Sequence, residues 1–397
     1  MFTTRAELGC LLLSQQGLLG DRPFGGTGGA ITWIRRQGFL PLDMQSQGMA
    51  PGHDIVLLGR VSGYEAGGLD MALYDRNQLF EHCLHVRGVL PASDYRLIYD
   101  PERAAAEGAP GSIGAQVLGF LGDEGPATLR ELQAHLRARG ESNRRAIGQT
   151  IRGLHASGAI LVWGREGSQE RYALAEQVLP GCRDEALSPE DRLRALARRT
   201  LQVLAPVTRA SWGQVLNAIG SLSGLGLAEI KREKRRLMAG MLAEGEAVQV
   251  EVGDPPAQYL IPASWVARLH ERPRTGAPRL TFLSPLDPMI WDRQRARDLF
   301  GFDWRRQALP PSVERRQSPG RGLALLYGEA LVGRIEPRMS WSQARLIVDG
   351  MHLRSPSLVE DQQFRAAFSA AVNELAALHE AREIQGIGPL VRRLLPS

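Results

Sequence analysis

A pattern of helix, turn, helix and hairpin runs twice through the middle of this chain, and no other feature limits its fold as tightly. Within residues 125–174, GPATLRELQAHL reads as an amphipathic helix with Leu129, Leu132 and Leu136 at helical spacing. A turn near Gly140 follows, then NRRAIGQTIRGLHASG, apolar at Ile147, Ile151 and Leu154 and capped by Gly158. ILVWGREGSQERYAL alternates and turns at Gly164–Gly167, which predicts a β-hairpin. This is winged-helix order, in which the second helix is the one offered to DNA. Arg144, Arg145 and Arg152 lie on its polar side. A solvated helix face is the plainer explanation of the same three residues.

Residues 190–261 repeat the pattern. RLRALARRTLQVLA is followed by a helix containing Trp212, then LAEIKREKRRLMAGMLAEGE, then the strand pair AVQVEV and QYLIP. KREKRR sets five positive charges on about one and a half helical turns, a run that would face phosphates in such a module. Residues 3–95 are less regular, with helices predicted over 5–18 and 29–37 and short helices over 68–86. PFGGTGG at 23–29 has no strand before it and no Gly-Lys-Ser/Thr after it, so it reads as a flexible loop. Pro/Gly-rich linkers fall near 108–113, 179–189 and 271–279. Beyond 278 the chain becomes strand-rich, with LLYGEALVGRIEP at 325–337 forming two strands about a Gly-Glu turn, and it closes with the helix FRAAFSAAVNELAALHEAR. The expected fold class is α+β: tandem winged-helix (helix-turn-helix) domains at 1–108, 109–182 and 183–277, with a C-terminal β-rich domain at 278–397.

Charge and composition narrow the function. The net charge of +5 permits nucleic-acid binding without requiring it. Lysine occurs only at Lys231 and Lys234, so positive charge is almost all arginine; a GC-rich coding sequence is the plain cause. A step that needs a Schiff-base amine is therefore not expected. Cys10, Cys83 and Cys182 are isolated, giving neither a disulfide framework nor a zinc spacing. That usage fits a reducing cytoplasm. No run is apolar enough to span a membrane, and MFTTRAELGCLLLSQQGLLG reads as a helix face rather than a signal peptide. No phosphate loop, dinucleotide fingerprint or metal motif appears, so a purely DNA-binding protein rivals any enzyme.

LSPLDPMIWDRQRARDLFGFDW at 283–304, followed by LLYGEALVGRIEP, closely resembles the C-terminal part of the AlkZ/YcaQ family of DNA glycosylases. LLSQQGLLGDRP resembles that family's opening helix, HDIVLLGRVSGY at 53–64 the segment after its catalytic motif, LFEHCLHVRGVLPASDYRLI at 79–98 its next helical stretch, and ERYALAEQVLP at 170–180 its second wing. The resemblance implies tandem winged helices forming a basic concave surface around duplex DNA. The activity it implies is hydrolysis of the N-glycosidic bond of alkylated purines or interstrand crosslinks, with no metal or organic cofactor, by a monomer.

The family's chemistry resides in Gln, an apolar residue, then Gln or Asp, just before the segment matching 53–64. Here PLDMQSQGMAPGHD offers Gln45 and Gln47, with Ser46 between them. Ungapped counting from Arg60 puts the two positions at Leu42 and Met44, so a short gap is needed. The family's Trp-rich patch is absent, and His85-Val86-Arg87 stands where it has a His-Glu-Ala run. An N7-alkylated guanine is already cationic, so departure of the base needs mainly a positioned water and electrostatic support. A glutamine amide can both donate to and accept from that water. Gln45 and Gln47 are the expected water-positioning residues, with Asp43 as an alternative carboxylate base. A surface loop with incidental glutamines is the competing account. His53 and His85 are expected to satisfy local hydrogen bonds, and Trp291 and Trp304 to anchor the core. The expected contacts to double-stranded, lesion-containing DNA are Arg35, Arg36, Arg60, Arg144, Arg145, Arg152, Lys231, Arg232 and, between two predicted strands, Arg315, Arg316 and Arg321. The alternative function is a winged-helix DNA-binding scaffold or transcription regulator without the chemistry.

Overall fold

The computed structural model describes residues 1–42, 49–74, 78–141, 143–167, 169–182, 186–253, 256–271, 276–303 and 322–395. After β1 (Phe2–Thr3) and α1 (Arg5–Gln15), the first unit comprises β2 (Phe24–Gly25), α2 (Gly26–Gln37), β3 (Leu40–Pro41), α3 (Gly52–Leu58), β4 (Val61–Ser62), α4 (Gly68–Tyr74), β5 (Leu79–Cys83) and β6 (Arg87–Pro91). A short helix α5 (Pro101–Glu107) leads to the second unit: α6 (Ile113–Asp123), β7 (Ala127–Thr128), α7 (Leu129–Ala138), α8 (Arg144–Ala156), β8 (Ile160–Glu166) and β9 (Gln169–Leu174). After the one-turn helix α9 (Ala175–Val178), the third unit contains α10 (Pro189–Leu204), α11 (Arg209–Ile219), α12 (Leu227–Ala243), β10 (Ala247–Val252) and β11 (Ala257–Pro262).

One connection pattern runs through all three units. The segment before the second helix pairs antiparallel with the last strand of the hairpin: β3 with β6, β7 with β9, and Val207 with Leu260 of β11. The sheets are accordingly ordered β3-β6-β5, β7-β9-β8 and β1-β10-β11. Local sequence sets the helix ends. Thr128 and Glu131 form a capping box at α7, with the Thr128 hydroxyl accepting the Glu131 N–H at 3.3 Å. Asn143 caps α8, accepting the Ala146 N–H at 3.0 Å. Beyond α8, Gly158 takes φ +76°, which favours glycine. Leu132, Leu136, Ile147, Ile151 and Leu154 form one core with Val117 and Leu121, as their spacing predicts, whereas Leu129 is exposed.

The end of the chain forms a five-stranded sheet, β12 (Leu280–Leu283), β13 (Leu323–Tyr327), β14 (Ala330–Ser340), β15 (Arg345–Leu353) and β16 (Glu383–Gly386), in that order. The helices α13 (Arg293–Phe300), α14 (Gln362–Leu378) and α15 (Pro389–Leu394) accompany it. Phe364, Phe368, Val372 and Leu375 of α14 pack with Phe282, Leu325 and Ile335 of this sheet and with Trp33, Ile34, Ile55 and Val56 of the first unit. The first unit and the terminal sheet therefore share a core. At the other end, β1 pairs parallel with β10, and Leu8, Leu11 and Leu12 of α1 pack among Val250, Tyr259, Leu283 and Met289.

Two local expectations change. Residues 79–86, read as helical, begin with β5 and lead into β6. Leu79, Phe80, Glu81 and His82 are buried in succession, so both faces are covered and no period-two signal survives. The glycine-rich stretch at 23–29 is not a loop: Phe24–Gly25 is β2 and α2 starts at Gly26. A Cβ on Gly29 would lie 2.9 Å from the Phe24 carbonyl carbon, so glycine lets this first turn press against the strand. Trp291 is half-buried, edge-on to His85 with ring centroids 4.4 Å apart, and Trp304 lies outside the described residues.

Candidate active site and nucleic-acid interface

Asp43, Gln45 and Gln47 fall within 43–48, outside the described residues, so the site is defined by its flanks. On one side, the Leu42 N–H donates to the Arg87 carbonyl of β6 at 3.0 Å. On the other, the Ala50 N–H donates to His379 Nε2 at 2.6 Å, while His379 Nδ1 lies 2.6 Å from the Leu375 carbonyl. With Nε2 accepting, Nδ1 carries the proton and the ring is neutral. Burial pushes its pKa down in the same sense. The end of α14 thus clips residue 50 in place.

Immediately after this clip, α3 carries two buried polar residues in an apolar run. His53 is pushed down to about 4, by burial and then by Arg165, and its Nδ1 has no hydrogen-bond partner among the described residues. Burial raises the Asp54 carboxyl to about 6, with Asp70 adding to the rise and hydrogen bonds from Tyr64 and Gly67 opposing it. The Tyr64 hydroxyl donates to Asp54 Oδ1 at 2.5 Å. Asp54 therefore changes charge close to neutrality, just downstream of the loop. Sequence reading overlooked it; an aspartate inside HDIVLL was the available signal.

A polar network joins the first two units. Arg165 of β8 donates to Glu81 of β5 through Nε at 3.0 Å and lies 3.3 Å from Glu170, while Tyr74 also hydrogen-bonds Glu81. His82 Nε2 sits 2.9 Å from the His155 carbonyl of α8, with the two rings stacked at 4.7 Å. His85 packs against Phe39 and Trp291, and burial lowers it to about 4. It is a neutral packing residue.

The proposed DNA contacts separate by environment. Arg144, Arg145 and Arg152 are exposed on α8 and form no ion pair among the described residues. On α12, Lys231 and Arg232 are exposed; Glu233 lies 3.7 Å from Arg232 and 4.0 Å from Arg236. Arg35 is exposed. Arg36 donates to Gln15 at 2.8 Å at the edge of a cleft of about 660 Å³ that also contains Arg268. Burial, and then Arg268, lower its pKa. Arg60 is corrected. Its side chain is fully buried, both terminal nitrogens bond Asp287 at 2.8 and 2.7 Å, and its guanidinium lies 5.0 Å over the Trp33 ring. It joins the first unit to the Ser284–Pro288 turn and cannot reach a phosphate from there. Arg315, Arg316 and Arg321 lie outside the described residues. Among the described residues no cluster of His, Cys, Asp and Glu could hold a metal ion, and no helix is long and apolar enough to cross a membrane.

Three units of one topology and a terminal sheet make an α+β architecture with exposed cations on the third helices of two units. The family profile described as DNA glycosylase AlkZ-like matches residues 36–378, and the chain belongs to that family. Among solved structures, it is similar to the Streptomyces sahachiroi DNA glycosylase AlkZ, with a TM-score of 0.65 at 14% identity over 98% of this chain and 100% of that one. At that identity the likeness speaks for the fold.

Proposed function

We propose that this chain is a monofunctional DNA glycosylase that hydrolyses the N-glycosidic bond of alkylated purines or interstrand crosslinks in duplex DNA. Three winged-helix domains (1–108, 109–182 and 183–277) carry it, beside a β-rich domain at 278–397. The observation that carries the reading is the family match, which spans both basic helices and the loop with Gln45 and Gln47. In this reading α8 and α12 are the helices presented to the duplex, their arginines and lysines neutralising phosphates. Gln45 and Gln47 hold the attacking water, with Asp43 as the alternative base. Both lysines lie on α12, and in this reading neither acts as a Schiff-base amine, so the reaction is hydrolysis without a lyase step.

The test is incubation with duplexes carrying N7-methylguanine or a nitrogen-mustard crosslink, followed by hot alkali to reveal abasic sites. Base release that Gln45→Ala and Gln47→Ala abolish, with duplex affinity kept within a few-fold, supports the assignment. Release that survives in the double variant removes the glutamines from it. Tight, salt-dependent binding without release would favour the second reading, a non-catalytic DNA-binding protein. The observation behind that alternative is Ser46 and the shifted register of the motif.

A further inference from the structure

The mechanism leaves exposed aromatic residues unused, and one of them lies close to the candidate site. Trp341 opens the turn between β14 and β15 and is 60% exposed, more than any other described tryptophan. Its nearest ring neighbour is His379, centroids 6.3 Å apart and tilted by 42°, the same histidine that accepts the Ala50 N–H. The indole therefore stands beside the clip at the downstream end of the glutamine-bearing loop.

The turn is built to hold this position. The Ala344 N–H donates to the Trp341 carbonyl at 3.2 Å, and the Ser340 hydroxyl lies 3.3 Å from Gln343 Oε1. Ala344 takes φ +47°, which costs a residue with a Cβ, and its carbonyl accepts the Arg382 N–H at 2.7 Å. Parallel pairing of β16 with β15 begins next to it, at Arg345 and Glu383. A constrained turn that displays an indole to water gives up burial that would stabilise the fold.

Charge around the ring is balanced. Arg338 pairs with Asp349 at 2.8 Å and Arg345 with Glu383 at 2.6 Å. The side chains of Glu380 and Arg382 are both exposed and of opposite sign. The tip has little net charge, so the indole, not a cation, is its contact group.

We propose that Trp341 is a substrate-contacting residue whose indole stacks on a nucleobase of the damaged duplex beside the Ala50–His379 clip. The proposal deepens the glycosylase reading and rests on it for the identity of the substrate. Stacking on a π face is indifferent to base identity, which suits an enzyme that meets lesions in any sequence. It also steadies a nucleotide that a crosslink prevents from swinging into a deep pocket.

The test compares the wild type with Trp341→Ala and Trp341→Phe on the N7-methylguanine duplex. Duplex affinity at two or more salt concentrations, single-turnover base release and the thermal midpoint are measured. Trp341→Ala is expected to weaken duplex binding by about tenfold with an unchanged thermal midpoint and an unchanged salt slope, since no cation is removed. Its base release falls at sub-saturating protein and recovers at saturation, and Trp341→Phe restores most of the affinity. Affinity and release within twofold of wild type in Trp341→Ala would overturn the proposal. So would a lowered thermal midpoint without loss of affinity, which marks a structural ring. If the wild type binds but releases no base, the enzyme reading fails alone, and the affinity of Trp341→Ala still decides the stacking.

Discussion

The first and second units share a connection pattern but use it differently. In the second, α8 has thirteen residues, buries Ile147, Ile151 and Leu154 in a core of that unit, and leaves Arg144, Arg145 and Arg152 in water. Its counterpart α4 has seven residues, GLDMALY, with no cation; Leu69, Ala72 and Leu73 are buried. The core behind α4 also holds the terminal sheet and α14. On the proposed reading, the topology offers a surface to DNA where the third helix is long and basic. Where that helix is short and apolar, it packs into a core that the first unit shares with the far end of the chain.

The comparison breaks most readily at the join between the first unit and the terminal sheet. Asp287→Ala leaves Arg60 buried without its partner and should cost about 3–5 kcal/mol of stability, read by denaturant unfolding. Removal of Arg144, on the second unit, should leave stability within about 0.5 kcal/mol. A small loss in Asp287→Ala would mean that the two ends are not held by this pair. Next in size, Gln45→Ala should reduce base release about a hundredfold or more with little change in affinity, whereas Arg144→Ala with Arg145→Ala should weaken affinity and spare release at saturation. The reverse pattern would exchange the roles given to the two units.

Acid sharpens the comparison further. Below 6.5, the unfolded chain takes up protons that folded His53 and His85 refuse until about 4. The unfolded state then binds more protons, so stability falls as pH drops from 6.5 towards 4. Asp54 works in the opposite sense. Its folded carboxyl keeps a proton up to about 6, against 3.8 when unfolded, so its contribution is complete at low pH and is lost as pH rises through that interval. Asp54→Asn should remove this opposing part and make the acid loss steeper in thermal midpoints between pH 7 and 4.5. A pH profile identical to wild type would show that Asp54 is not protonated in the folded state. The smallest effect is on salt dependence. Each phosphate-neutralising arginine of α8 replaced by alanine should reduce the slope of log affinity against log salt by about 0.9, and Met71→Ala on α4 should leave it unchanged.

Much of the second and third units was legible because their information is local. Apolar residues at helical spacing, Thr128 with Glu131, Asn143 and Gly158 specify elements whose partners lie within about fifty residues. The resemblance carried by 283–304 and 325–337 agrees with the family match, and the Gly328-Glu329 turn joins β13 to β14 as read. The first unit was harder to read because its residues answer to distant neighbours. Leu79 to His82 are covered on both faces, which erases alternation, and Arg60 has the sequence context of a surface cation although Asp287 lies against it. Asp54 owes its raised pKa to burial, and the exposure of Trp341 beside the Ala50–His379 clip is likewise a product of packing.

The sequence by itself determined the period of the helices in the second and third units, their hairpins and caps, the family and the basic character of α8 and α12, because each is written within a few turns of chain. Only the tertiary structure decided which arginines are buried, that burial raises the Asp54 carboxyl, and that residue 50 meets the far end of the chain. Those outcomes depend on desolvation and on pairings between residues hundreds of positions apart, such as Arg60 with Asp287 and Ala50 with His379, and no local pattern encodes them.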